Sequence, residues 1–181
     1  PVGGPGLWGT GPRAGGPLYL RRLGRGASAP EPEAPIALPG PTGEANTLEF
    51  HPRGVVACVA ADEHRLFAQA KAALAVGNTV LLLRDPVSIR VGKGIGGARI
   101  TFADALDPAA IDAVLLDVGQ NDARRVRGVF AGAPGRIVPV VVPGAQGKYD
   151  WARLMVERTV TVNTSAAGGN AALLSLDEDA T

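Results

Sequence analysis

The sequence is poor in several residue types, and each shortage excludes a class of protein. Among 181 residues there is one cysteine, Cys58, so neither an internal disulfide nor a zinc site with four cysteine ligands can form. No apolar run reaches the 18 residues that a membrane-spanning helix needs. The first residues of the sequence do not show a positively charged stretch followed by an apolar stretch, the pattern of a signal peptide. We therefore expect a soluble cytoplasmic protein with no membrane span.

The chain also lacks an excess of positive or negative charge. The chain has 18 Lys and Arg against 17 Asp and Glu, a net charge of +1. Without a basic excess, little counterion release is available to drive binding to nucleic acid, so we expect no such partner. The cluster Arg124, Arg125 and Arg127 is interpreted as a solvated face. Apolar residues, by contrast, make up 46 % of the chain, which is too many for a disordered protein.

Methionine is almost absent, and Gly and Pro are unevenly spread. The only methionine is Met155 and the first residue is Pro1. Because translation starts with Met, the sequence predicts the C-terminal piece of a longer protein. Residues 1–43 hold 11 Gly and 9 Pro, which disfavour regular elements because Pro removes a donor and Gly costs backbone entropy. We interpret residues 25–43 as a linker.

Beyond residue 43, apolar runs of strand length alternate with helical patterns. Helices are predicted around residues 66–74 and 126–130, and strands at residues 54–60, 79–83, 99–102, 113–117 and 137–142. Strands that are apolar on both faces and alternate with helices are typical of a covered parallel sheet. The sequence therefore predicts an α/β fold, a Rossmann-like parallel sheet of about five strands with helices on both faces.

The end of the chain has a different pattern. Residues 159–164 alternate polar and apolar, residues 171–176 are mostly apolar, and a Gly-rich turn separates them. This pattern predicts a two-stranded C-terminal β-flap, which would be marginal unless it docks on another surface. Before it, one or two helical turns would place Trp151 and Met155 on one face.

No complete catalytic set is recognisable from the residues alone. Cys58 lies within a predicted buried strand, which favours an inert thiol. The glycines of residues 92–97 precede a strand instead of following the first strand and opening a helix, so they indicate a flexible connection more than a phosphate-binding loop. His51 and His64 lack metal-binding spacing, and we expect structural or surface roles.

Two acidic residues follow the first predicted strand. Asp62 and Glu63 stand where open α/β sheets bind ligands, but carboxylates are also favoured at any helix N-terminus. We favour the capping role.

Three segments together resemble the proline utilization A family of bifunctional proline-catabolic flavoenzymes. They are GGPGLWGTGPRAGGPLYL (residues 3–20), GPTGEANTL (residues 40–48) and ERTVTVNTSAAGGNA (residues 157–171). They are similar, in order, to the end of the family's aldehyde dehydrogenase domain, the entry to its extra C-terminal domain, and its C-terminal motif. Val2 and Trp8 depart from the aromatic residue and the serine usual in the first segment.

The resemblance implies a division of the chain and a set of partners. Residues 1–24 would end the L-glutamate γ-semialdehyde dehydrogenase domain, residues 44–148 would form a non-catalytic aldehyde-dehydrogenase-like domain, and residues 149–181 the flap and tail. The parent would use FAD to oxidise proline and NAD to oxidise the semialdehyde, passing the intermediate through a tunnel. It would be an oxidoreductase, either monomeric or oligomeric. This domain would contact the dehydrogenase domain and cover the tunnel.

The resemblance also predicts that this part of the chain is inactive and holds no catalytic, cofactor or metal site. The family's cofactor-binding lysine corresponds to Leu83, its oxyanion-hole asparagine to Glu63, and its general base to Pro143; its catalytic cysteine has no counterpart. The flap motif would instead supply the interface, through Arg158, Thr159, Val160, Val162, Asn163, Thr164, Gly168, Gly169 and Asn170. The alternative is an autonomous Rossmann-like domain that binds a nucleotide.

Overall fold

A five-stranded parallel sheet forms the centre of the structure. The computed structural model describes residues 5–7, 9–12, 19 and 35–164. The sheet strands are β5 (Val55–Ala60), β6 (Thr79–Leu83), β7 (Ile100–Ala103), β8 (Ala113–Asp117) and β9 (Val140–Val141). Their order is β7-β6-β5-β8-β9, and every neighbouring pair is parallel. The predicted α/β class is confirmed.

Helices cover both faces of this sheet. They are α1 (Glu63–Ala75), α2 (Pro86–Ile95) and α3 (Gln120–Ala131). Alternate strand residues point to opposite faces. Val56, Val80 and Leu82 therefore pack with α1 and α2, whereas Val114 and Leu116 pack with α3 on the other face. No helix among the described residues is long and apolar enough to cross a membrane.

Helix α2 corrects the prediction of a flexible connection at residues 92–97. The helix runs through Gly92 and ends at Ile95; the capping residue after it is Gly96, whose φ of 69° suits a residue without a side chain. Asp85 begins it by accepting hydrogen bonds from the backbone, and Pro86 occupies its first turn. Those two start signals outweigh the cost of the interior glycines.

Two glycines of α2 give a matched test of packing. A Cβ on Gly92 would lie 2.6 Å from Cζ of Phe102, whereas one on Gly94 would meet nothing within 4 Å. We expect Gly92→Ala to lower the free energy of unfolding by about 1–3 kcal/mol through overpacking. Gly94→Ala should raise it by up to about 1 kcal/mol because alanine is the better helix former. Chemical denaturation measures both, and equal effects would contradict this packing.

A second sheet contains three strands in the order β10-β4-β3. They are β3 (Ile36–Leu38), β4 (Glu44–Pro52) and β10 (Met155–Asn163). Strands β3 and β4 are antiparallel, with Ile36 opposite Leu48. The amide of Thr164 donates to the carbonyl of Gly43 at 2.8 Å, so residues 159–164 pair with β4. The predicted partner, residues 171–176, lies outside the described residues.

Strands β3 and β4 are not predicted from the sequence, and of the one or two helical turns predicted before β10 one is present. Leu48 and Phe50 of β4 alternate with polar residues, a signal of period two that was available. Trp151 lies in a 3-10 turn, Trp151–Arg153, and Met155 begins β10, so the two do not share a helix face. A short hairpin pairs β1 (Pro5–Gly6) with β2 (Gly9–Thr10), and a second 3-10 turn spans Ala145–Gly147.

The chain divides into two compact units. One comprises Pro1–Glu31 and His51–Glu157, and the other Pro32–Phe50 and Arg158–Thr181. The first contains the five-stranded sheet, and the second contains β3 with residues 44–50 and 158–163 of the neighbouring strands. The domain boundaries expected from the sequence, at residues 24, 43 and 148, stay a prediction.

Candidate functional site

A cleft of about 240 Å³ opens at the carboxyl ends of β5 and β6. Its walls come from the ends of those strands and from the first turns of α1 and α2, and they include Asp62, Glu63, Leu83, Asp85 and Ser88. In open α/β sheets the carboxyl edge is the side that binds ligands, and helix N-termini there can hold phosphate groups. This cleft is therefore the place to test for a nucleotide site.

Carboxylates already occupy the helix N-termini of the cleft. Asp62 begins α1 and accepts a hydrogen bond from the amide of Arg65 at 2.9 Å, as the capping interpretation expected. Asp85 begins α2 and accepts from the amides of Val87 and Ser88 at 2.8 and 3.0 Å. The amides that would bind a phosphate are thus satisfied by side chains of the chain itself.

The hydrogen bonds around Asp85 keep it ionised. The hydroxyl of Ser88 donates to Asp85 at 2.6 Å, and this bond is the largest cause that holds the pKa of Asp85 below its usual value. Glu63 in the first turn of α1 forms an ion pair with Arg90 at 2.7 Å. Asp62 is also paired, with Arg65 at 3.0 Å. The three carboxylates and two arginines leave one net negative charge, which disfavours binding of a pyrophosphate.

The other positions singled out by resemblance lie at the same edge of the sheet. Leu83 is the last residue of β6 and lines the cleft. Pro143 follows β9 and lines a separate groove. Leucine has no polar group for a ribose hydroxyl, and proline has no group that can accept a proton. The tertiary structure therefore brings Glu63 and Leu83 to one cleft and leaves Pro143 outside it.

Cys58 lies in the middle of β5, and only 3 % of its surface is exposed. Burial raises the pKa of this thiol far above its usual value, so the reactive thiolate is disfavoured. His64 is exposed on α1, and His51 is half-buried in β4. Among the described residues, no group of three or more His, Cys, Asp or Glu could hold a metal ion.

The flap motif lies mostly on the surface of the second unit. Arg158, Asn163 and Thr164 are exposed, and Val162 is 53 % exposed. Thr159 and Val160 are half-buried. The hydroxyl of Thr161 donates to Asn46 Oδ1 at 2.6 Å and ties β10 to β4. The remaining motif positions, Gly168, Gly169 and Asn170, lie outside the described residues.

Sequence reasoning overlooked two polar residues that face each other. Gln69 of α1 is fully buried, and its Nε2 donates to the hydroxyl of Tyr149 at 2.9 Å. The same nitrogen donates to the carbonyl of Val59 at 3.1 Å. A polar residue at a core position of the apolar face of α1 was the available signal, because buried amides need partners.

Comparisons with known proteins agree on one family. No family model matches the chain. The chain is 35 % identical over 238 residues to the bifunctional protein PutA of Escherichia coli (strain K12), covering 97 % of this chain and 18 % of that protein. The bifunctional protein PutA of Rhizobium meliloti is 33 % identical over 230 residues, again covering 97 % of this chain and 18 % of its own length.

A solved structure supports the same relationship. A single-residue mutant of proline utilization A (PutA) from Bradyrhizobium japonicum superposes with a TM-score of 0.51 and 25 % identity, covering 61 % of this chain and 13 % of that one. The chain spans less than a fifth of the length of the curated relatives it matches. It belongs to the PutA family and corresponds to the C-terminal region of those proteins.

Proposed function

We propose that this chain is the non-catalytic C-terminal part of a bifunctional proline dehydrogenase and L-glutamate γ-semialdehyde dehydrogenase. In that role it supports the dehydrogenase domain and covers the passage through which the intermediate travels from proline oxidation to glutamate formation. FAD and NAD belong to the rest of such a protein, and the reactions occur there.

The observation that carries this proposal is the chemistry of the cleft at the carboxyl ends of β5 and β6. An aldehyde-dehydrogenase-like domain needs a donor for the ribose, free amides for the pyrophosphate and a donor for the developing oxyanion. This cleft offers the aliphatic Leu83, capped helix N-termini and the carboxylate of Glu63. A carboxylate repels an oxyanion, so the residues present do not fit NAD.

The missing nucleophile and base support the same role. Covalent aldehyde oxidation needs an activated nucleophile and a base within hydrogen-bond reach of the reacting atoms. Cys58, the only cysteine, is buried in β5, and Pro143 lies two residues after the end of β9. Neither group supplies that chemistry in this chain.

The second unit supports a role at an interface. Val160 and Val162 lie on the same side of β10 because side chains alternate along a strand, and Val162 is 53 % exposed. A strand with apolar side chains facing water invites association unless a partner covers it. We assign that partner to the dehydrogenase domain of the longer protein.

An assay of the isolated chain tests the non-catalytic role. We expect no NADH from L-glutamate γ-semialdehyde and no NAD binding detectable by calorimetry at micromolar concentrations, because the cleft presents carboxylates where phosphates would lie. The matched control is Cys58→Ala, which should behave as the unmodified chain does. Activity that disappears in Cys58→Ala would refute the proposal, and micromolar NAD binding would favour the autonomous nucleotide-binding alternative.

A further inference from the structure

A second depression, the switch-point groove, lies outside the carboxyl ends of β5 and β8. It has a volume of about 570 Å³, within the range of small-molecule sites. Its walls include His64, Arg65, Asp117, Lys148 and Tyr149. The order of strands reverses between β5 and β8, since β6 and β7 extend to one side and β9 to the other. Ligands of open α/β sheets bind at this reversal.

Tyr149 presents a fixed hydrogen-bond donor to the groove. Its hydroxyl oxygen accepts from Nε2 of Gln69, a fully buried side chain that the carbonyl of Val59 also anchors. The Oε1 atom of Gln69 has no hydrogen-bond partner among the described residues, so it does not take the phenolic proton. That proton is available to a ligand. Burial raises the pKa of Tyr149, which keeps the proton on the hydroxyl.

The arginine and the lysine of the groove differ in their pairing. Arg65 forms ion pairs with Asp117 and with Asp62, each at 3.0 Å. The ammonium of Lys148 is exposed and has no ion-pair partner within the described part of the chain. His64 adds ring nitrogens at the rim. The charges of Arg65 and Lys148 balance those of Asp62 and Asp117, so the groove has no net surplus of charge, but the ammonium of Lys148 is free to pair with a ligand.

We propose that the switch-point groove binds the carboxylate group of a small organic acid, with Lys148 and Tyr149 as its donors. The ammonium of Lys148 supplies one positive charge, which matches a monoanion. A dianionic phosphate would instead leave one negative charge unmatched beside Asp117. The inference does not depend on the proposed role in proline catabolism.

A titration of the isotope-labelled chain with sodium propionate, at constant ionic strength set with sodium chloride, tests the proposal. Amide resonances of Gly144 and Gly147 on the groove wall should shift and saturate. Lys148→Met and Tyr149→Phe should each weaken binding at least fivefold, because each removes one hydrogen bond to a charged group. Lys93→Met is the matched control, since Lys93 is exposed on α2. The affinity of this variant for propionate should stay within twofold of that of the unmodified chain.

Each result of the propionate titration either supports or overturns the proposed site. Saturable shifts that weaken in both variants support the site, and unchanged spectra of the variants outside the groove show that they are folded. Shifts that do not saturate, equal shifts with chloride alone, or undiminished binding in both variants overturn it. Tighter binding of inorganic phosphate than of propionate overturns the assignment of a monoanion.

Discussion

Replacing Asn78 with alanine is expected to lower the free energy of unfolding by about 3 kcal/mol. Asn78 is fully buried between α1 and β6. Its Oδ1 accepts from the amide of Gly54 at 3.0 Å, and its Nδ2 donates to the carbonyls of Ala73 and Leu154 at 3.3 and 3.0 Å.

The cost arises mainly from one group that would be left without a partner. In Asn78→Ala the carbonyl of Ala73 keeps the backbone amide of residue 78, and the carbonyl of Leu154 keeps the amide of Arg53. The amide of the half-buried Gly54 loses its acceptor, and an unsatisfied donor that water does not reach costs about 1–3 kcal/mol. The vacated volume and the two lost donor bonds add to that figure.

Urea denaturation of three variants, each compared with the unmodified chain, checks this expectation. Asn78→Asp keeps the acceptor for Gly54 but turns a second oxygen towards two carbonyls, so its loss of stability at neutral pH should at least equal that of alanine. Asn121→Ala on the exposed side of α3 is the control and should change stability by no more than about 0.5 kcal/mol. An Asn78→Ala effect as small as the control would show that the side chain does not join these segments.

Removal of the segment corresponding to residues 157–181 from a full-length PutA protein should lower its semialdehyde dehydrogenase activity at least tenfold. This expectation follows from the proposed interface of β10 with the dehydrogenase domain, because a catalytic constellation displaced by about 1 Å can lose on the order of a hundredfold in rate. The flux from proline to glutamate should fall in parallel. Proline oxidation measured in the same sample should be spared and serves as the internal control.

A single substitution tests the same surface without shortening the chain. Val162→Asp places a charge on the exposed side of β10 and should reduce the dehydrogenase activity of the full-length protein. Val129→Asp makes the same chemical change at a valine of similar exposure on α3, 43 % against 53 %, and should leave activity unchanged. If Val162→Asp, Val129→Asp and the truncated protein all had the same dehydrogenase activity, the proposed interface would be refuted.

The sequence alone was sufficient for the parallel sheet. Its strands are buried on both faces and therefore appear as continuous apolar runs, as at residues 79–83 and 113–117, where the predicted and observed bounds coincide. The apolar run at residues 54–60 also indicated that Cys58 is buried, because a thiol in such a run has apolar neighbours on both sides. The family resemblance rested on three segments, residues 3–20, 40–48 and 157–171.

Local patterns failed where distant residues decide the conformation. Glycines discouraged a helix at α2, yet Gly92 is there because the ring of Phe102 leaves no room for a side chain. Strand β4 pairs with residues 159–164, more than 100 positions along the chain. A nine-residue strand on a half-exposed sheet has a weak pattern of its own, and only its partners stabilise it.

The functional residues show the same contrast between sequence and tertiary structure. The family resemblance pointed to Glu63, Leu83 and Pro143 as departures from an aldehyde dehydrogenase's functional residues, because the residue types at those positions can be compared along the sequence. Only the tertiary structure revealed that Asp62 and Asp85 occupy both helix N-termini of one cleft, and that Gln69 holds Tyr149 across 80 residues. Electrostatic fields and hydrogen bonds depend on distances in space, and spacing along the chain does not fix those distances.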